Sequence, residues 1–112
     1  NTTQAPTNIS WGNNNRTTLI RIPSHHPLLQ DIRIEYRLAT PTCNPYLAIS
    51  SLLLQIFYGL KYQVKPQDIT YGNAFDNKYS LKSLPKNFLE ALELMQQSYV
   101  MRELFVDIKK LK

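Results

Sequence analysis

The chain has a single cysteine, Cys43, in 112 residues. One cysteine allows no intrachain disulfide and no Cys-based zinc site, and such sparse use fits a reducing compartment. No apolar run is long enough for a bilayer. The longest, around residues 48–60, is broken by serines and by Gln55, whereas a spanning helix needs about 20 apolar residues. No signal-peptide pattern is visible. Clustered positive charge is also missing. The net charge of +5 permits an anionic partner, but only Lys109, Lys110 and Lys112 lie together, at the very end, where a frayed tail accounts for them. The aromatic residues do not interleave with the basic ones as a nucleic-acid stacking platform requires. Neither nucleic acid nor a membrane is therefore expected as a partner, and a cytoplasmic location is expected.

What is present is an ordinary globular composition, 43% hydrophobic and 11% aromatic, too apolar for a disordered chain. Its length suits one domain or a piece of one. The chain opens with Asn1 rather than Met and trails off after residue 106 without a helix stop signal. It reads as a single domain piece, 1–112, of a longer protein.

The coarse pattern is α+β. Residues 8–11 form a short strand candidate, and the Gly12-Asn13-Asn14-Asn15 run is a turn, since Gly and Asn tolerate left-handed backbone. Residues 17–22 are β-branched and apolar, as strands are, and Pro23 ends them. Arg21 is a charge inside that strand and needs a partner or a ligand. Residues 24–31 are a loop. Its adjacent histidines, His25 and His26, point apart and do not suit a shared metal. With the strand that follows, these segments predict a small antiparallel sheet. Asn44-Pro45 is a helix start, with Asn as the cap and Pro at the first helical position. The helix is expected to run to about Tyr58 and to close at Gly59. It is apolar nearly all round, which predicts burial against the back of the sheet. Residues 61–84 lack periodicity and read as a long surface loop. From Pro85 a further helix is expected, with Phe88, Leu89, Leu92 and Met95 at helical spacing and a helical continuation over 99–105. Asn8-Ile9-Ser10 matches a glycosylation sequon, but nothing else in the chain looks secreted.

The stretch with chemistry is 32–38, Ile-Arg-Ile-Glu-Tyr-Arg-Leu. In an extended strand Ile32, Ile34, Tyr36 and Leu38 share one face, and Arg33, Glu35 and Arg37 share the other. Guanidinium forks suit phosphate and carboxylate oxygens, and a carboxylate suits a hard divalent cation. A plain cross-strand ion-pair ladder has the same pattern, and the seven residues alone leave both readings open.

Five motifs taken together carry a resemblance. Asn8-Ile9-Ser10-Trp11-Gly12, Asn15-Arg16-Thr17, Leu19-Ile20-Arg21-Ile22-Pro23, Arg33-Ile34-Glu35-Tyr36-Arg37 and Asn44-Pro45-Tyr46-Leu47-Ala48 resemble, in order and spacing, the C-terminal part of the glutamine synthetase catalytic domain. The segment 84–105 is similar to a later helix of that family. The resemblance implies an ATP-dependent ligase in which the glutamate side chain takes the terminal phosphoryl of ATP and an amine then attacks the acyl phosphate. It implies ATP with Mg2+ or Mn2+, with glutamate and ammonia or an amine as substrates. It also implies that Glu35 binds the metal, that Arg37 stabilises the transferring phosphoryl, that Arg16 touches the glutamyl carboxylate and phosphate, and that Arg21 and Arg33 lie around the nucleotide phosphates.

Two departures bear on the substrate. Ahead of Ala5-Pro6 the glutamine synthetases carry a glutamate that takes a proton from ammonium, and here the residue is Gln4. A neutral amide hydrogen-bonds an amine but does not act as a general base. The Trp11-Gly12…Asn15-Arg16-Thr17 wording is most similar to the branch that joins polyamines to glutamate, such as γ-glutamylputrescine synthetase, although the Asp usual in the turn of that branch is Asn14 here. An amine is therefore placed ahead of ammonia. Tyr71 lies in the loop where one branch is adenylylated, but the surrounding motif is absent.

The family's remaining metal ligands, and the N-terminal domain that completes its site across a subunit interface, lie upstream. The resemblance thus implies a homo-oligomeric parent and an inactive isolated piece. Two other readings stay open. One is a structural or interaction remnant that folds without binding nucleotide. The other is an anion-binding module for nucleic acid, marked by steep salt dependence.

Overall fold

The computed structural model describes residues 5–24 and 32–103. Gln4, His25 and His26 lie outside the described residues, as do 104–112. The described residues gather into two compact units. One comprises the chain up to Ala39 together with Gln67–Leu84, and the other comprises Thr40–Pro66 and the chain from Pro85 onward.

In the first unit, β1 (Trp11–Asn13), β2 (Ile20–Ile22) and β3 (Glu35–Tyr36) form one sheet in the order β1-β2-β3. β2 and β3 are antiparallel, with Ile20 opposite Tyr36 and Arg21 opposite Glu35. β1 and β2 are parallel, with Gly12 opposite Arg21. The α+β class holds, but the sheet is mixed rather than antiparallel. Parallel neighbours ordinarily need a long crossover. Here the strands are only three residues long, about 10 Å, so residues 14–19 suffice to carry the chain back. Asn14 makes the reversal with φ 51°. Asn15 then braces the turn, its Oδ1 accepting from the Thr17 amide at 3.1 Å and the Thr17 hydroxyl at 2.6 Å.

The segment 67–84 is tied over these strands by side chains that meet backbone. The Trp11 indole donates to the Gln67 carbonyl (2.6 Å), Asn15 Nδ2 to the carbonyls of Thr70 (3.0 Å) and Gly72 (2.8 Å), and Asn8 Nδ2 to that of Ala74 (2.6 Å). The Ala74 amide in turn donates to the Thr17 hydroxyl at 2.8 Å. The core of this unit is correspondingly polar. Asn8, Ser10, Thr18 and Thr70 are buried beside Leu19 and Ala74. Asn8 is therefore a core residue with its amide nitrogen already engaged, which explains the sequon match without glycosylation. Gly12 is required by close approach, because a Cβ there would stand 2.7 Å from the Thr70 carbonyl oxygen.

The strand expected over 32–38 is regular only at Glu35–Tyr36. Ile32 and Ile34 are exposed and outside any strand, and Leu38 is exposed too. Tyr36, on the same face, is half-buried, and the pairing with β2 reaches only Glu35 and Tyr36.

In the second unit, α1 spans Pro45–Lys61. Asn44 caps it as expected, its side-chain oxygen accepting from the amides of Tyr46 (3.0 Å) and Leu47 (3.3 Å). The helix does not stop at Gly59. It ends two residues later, at Lys61, in a Schellman-type closure, where Gln63 adopts φ 50° and the amides of Gln63 and Val64 reach the carbonyls of Leu60 and Gly59. The expectation of a buried helix is also corrected, since no residue of α1 is buried. Ala48, Ser51, Leu52, Leu54 and Tyr58 are half-buried, while Leu47, Ile49, Leu53, Ile56, Phe57 and Leu60 are exposed. The helix is apolar all round, as read, but the described residues cover only part of it.

The helix α2, Phe88–Gln97, is capped at its start by Asn87, with Glu90 reaching back to the residue before the cap. The Glu90 amide donates to Asn87 Oδ1 (2.9 Å), and the Glu90 carboxylate accepts from the Lys86 amide (2.9 Å). Ser98 interrupts it, and helix resumes over 99–103, with the Met101 amide donating to the Ser98 hydroxyl at 3.3 Å. The expected continuation holds as far as the described residues go. Among those residues no helix is long and apolar enough to cross a membrane.

Candidate functional site

Glu35 is the centre of the charged face. Sheet register sets Arg21 of β2 directly opposite it, and Arg21 Nη1 donates to Glu35 Oε2 at 2.8 Å. On its own segment Arg33 lies farther off, 3.7 Å from Glu35 Oε1, with its side chain 57% exposed. The strongest ion pair thus runs across strands rather than along one, which is the partner that a charge inside β2 required. The Glu35 carboxyl is held below the usual carboxylate range, first by the hydrogen bond from Arg21, then by the positive charges of Arg21, Arg33 and Arg37, against partial burial that acts the other way. The group is ionised at neutral pH and sits in a positive field.

Arg21 is nearly buried, with 13% of its side chain exposed. Its second terminal nitrogen, Nη2, donates to Asn14 Oδ1 at 2.6 Å. Its Nε is buried without a hydrogen-bond partner among the described residues. Arg37 is placed differently. Its Nη1 donates to the carbonyls of Arg16 and Thr18 (2.8 Å to Thr18), and its amide donates to the Leu19 carbonyl at 2.9 Å. Arg37 therefore clamps the turn from which Arg16 projects, and Arg16 itself is exposed.

The structure thus brings Arg21, Arg33 and Glu35 together and links Arg37 to the Arg16 backbone. The residue that sequence reasoning did not single out for the site is Asn14. Its signal was its place in an Asn-rich turn seven residues before a strand arginine.

A divalent cation and nucleotide phosphates are the two groups this chemistry raises. Guanidiniums on one face suit phosphate oxygens. For the cation, the described residues hold no cluster of three His, Cys, Asp or Glu side chains, and Oε2 of Glu35 is taken by Arg21. A magnesium ion keeps its water shell unless several ligands and phosphates converge. These residues by themselves do not make a metal site.

Comparison with known proteins supplies the context. A family profile described as "Glutamine synthetase, catalytic domain" matches residues 1–108. The glutamine synthetase of Thermococcus kodakarensis is 35% identical over 106 residues, covering 89% of this chain and 24% of that protein. That of Methanosarcina mazei is 36% identical over 106 residues, covering 89% of this chain and 23% of that protein. A solved structure of GmaS in complex with ADP is similar with a TM-score of 0.74 at 27% identity, covering 88% of this chain and 22% of that one. The chain spans about a quarter of the length of the curated relatives it matches.

Proposed function

The chain belongs to the glutamine synthetase catalytic-domain family, and on that premise we propose that it supplies the arginine–glutamate strand of an ATP-dependent ligase. The reaction joins ammonia or an amine to the γ-carboxylate of glutamate. A γ-carboxylate oxygen attacks the terminal phosphorus of ATP and ADP leaves. The nitrogen lone pair then attacks the acyl carbon, phosphate departs with that carboxylate oxygen, and the nitrogen loses a proton. Phosphoryl transfer of this kind is catalysed mostly by positioning and by cancelling charge.

The observation that carries the proposal is the ionised Glu35 held between Arg21 and Arg33, in a chain with glutamine synthetase relatives over most of its length. Arg33, the exposed guanidinium, meets the nucleotide phosphates, and Arg21 adds its charge from the neighbouring strand. Arg37 fixes the turn that presents Arg16 to the glutamyl carboxylate and phosphate and lends its own charge to the transferring group. Glu35 is one carboxylate of a cation set whose other ligands lie outside these residues. ATP with magnesium or manganese is the nucleotide partner, the parent is a cytoplasmic homo-oligomer, and this chain alone turns over no nucleotide. Gln4 in place of a basic glutamate favours an amine over ammonium as the nitrogen donor.

The test is ADP release by the full-length protein with glutamate and a panel of ammonium, methylamine and putrescine. Release that requires glutamate together with a nitrogen donor, and that is faster with an amine than with ammonium, is expected. A folded protein whose nucleotide turnover ignores glutamate overturns the proposal.

A further inference from the structure

We infer that Asn14 is a positioning residue of this site, holding Arg21 from behind so that Arg21 fixes the direction of the Glu35 carboxylate. The inference rests on the ligase reading above and adds a residue to it. Three contacts make the chain of causes. The Asn14 amide donates to the Ile22 carbonyl at 2.6 Å, which pins the turn to β2 one residue from Arg21. Asn14 Oδ1 accepts from Arg21 Nη2 at 2.6 Å. Arg21 Nη1 donates to Glu35 Oε2 at 2.8 Å. The two terminal nitrogens of one planar fork are thus held at both ends, and a guanidinium so held loses the rotational freedom that an arginine side chain otherwise keeps.

The residue type at position 14 matters in two ways. Its φ of 51° is a conformation that Asn adopts more readily than most residues, so the turn and the tether come from one side chain. Its amide is also neutral. Asn14 orients Arg21 without spending its charge.

The test is a double-mutant cycle in the full-length protein, read as ADP affinity with magnesium by calorimetry and as steady-state constants. Asn14→Gly removes the tether and accepts the positive φ, so the fold is kept. It is expected to weaken ADP about three- to tenfold, the size of one lost hydrogen bond. It should raise KM for ATP and lower kcat while leaving KM for glutamate unchanged. Because Asn14 acts through Arg21, Asn14→Gly should add nothing in an Arg21→Ala background. If Arg21→Ala does not fold, Arg21→Lys serves in the same cycle, since lysine keeps the charge and lacks the fork. The inference is overturned if Asn14→Gly leaves ADP affinity unchanged, or if its effect adds in full to that of the Arg21 variant. An Arg21 variant that folds and binds ADP as the wild type does overturns the site reading itself, and the inference with it.

Discussion

Replacing Glu35 with alanine in the full-length protein is expected to lower kcat/KM by about a hundred- to a thousandfold, the range for removing one preorganised group that acts on developing charge. The protein should still fold. Glu35 sits on a two-residue strand with about a third of its side chain exposed, so its loss opens no cavity in the core. It does leave Arg21, nearly buried, without its main counter-charge, which costs more than losing a surface pair would. Glu35→Gln separates the two effects, because it keeps the shape and a hydrogen-bond acceptor for Arg21 but removes the charge. Stability should follow Glu35 on the acid side. Its carboxyl is held low in the folded state, chiefly by the Arg21 hydrogen bond, so the unfolded chain takes up the proton first. The contribution is fully present above the ordinary carboxylate range and fades as pH falls through the lowered value. A thermal-unfolding series in pH should therefore show a flatter acid limb for Glu35→Gln than for wild type. Equal slopes would mean that the ion pair does not persist in solution.

The second large effect is structural. Gly12→Val is expected to destabilise the protein by at least about 3 kcal/mol, at the upper end of what overpacking costs. A Cβ at this position meets the Thr70 carbonyl oxygen at 2.7 Å and Asn15 Cβ at 2.9 Å. The first of these is backbone and cannot swing away. That carbonyl also accepts from Asn15 Nδ2, and the Thr70 amide donates to the Trp11 carbonyl at 2.9 Å, so pushing Thr70 outward releases 67–84 from β1. Position 12 lies opposite Arg21 in the sheet, so the damage reaches the charged face. Gly59 is the contrasting control. A Cβ there meets nothing within 4 Å, and it sits inside α1, where alanine is favoured over glycine by about 0.5–1 kcal/mol. Gly59→Ala should therefore raise the unfolding midpoint while Gly12→Val lowers it. Chemical denaturation of both variants checks the pair, and similar midpoints would contradict the packing described around Gly12.

Local signals of helix ends were legible where a side chain itself does the capping. Asn44 with Pro45 marked the start of α1, and the apolar spacing from Phe88 marked the body of α2, because each depends on neighbours in sequence, but the start expected at Pro85 falls three residues later, after the Asn87 cap. Signals that depend on distant partners misled. Gly59 looked like a terminator, yet α1 runs on to Lys61 and Gln63 takes the left-handed position. Alternation over 32–38 promised a seven-residue strand, but β2 offers only three residues to pair with, and the strand is limited to Glu35–Tyr36. The all-round apolarity of α1 was read correctly as a demand for burial, while its cover is incomplete among the described residues.

The charged face shows the same division. Period two placed Arg33, Glu35 and Arg37 together, and a lone charge in β2 announced that Arg21 needed a partner. That the partner would be Glu35 follows from register, which the sequence does not state. That Arg37 would clamp the Arg16–Thr18 carbonyls, and that Asn14 would hold Arg21, follow from a six-residue turn between parallel strands, which the expected antiparallel arrangement excluded.

The most direct measurement is isotopic. The full-length protein is supplied with ATP, a nitrogen donor and glutamate labelled with oxygen-18 in its γ-carboxylate, and the released inorganic phosphate is analysed by mass spectrometry. Passage through a γ-glutamyl phosphate transfers one labelled oxygen to each phosphate, so labelled phosphate should accumulate in step with ADP and both should fall together in Glu35→Ala. Phosphate released without label would mean that ATP is hydrolysed by water instead, and the ligase assignment would be wrong.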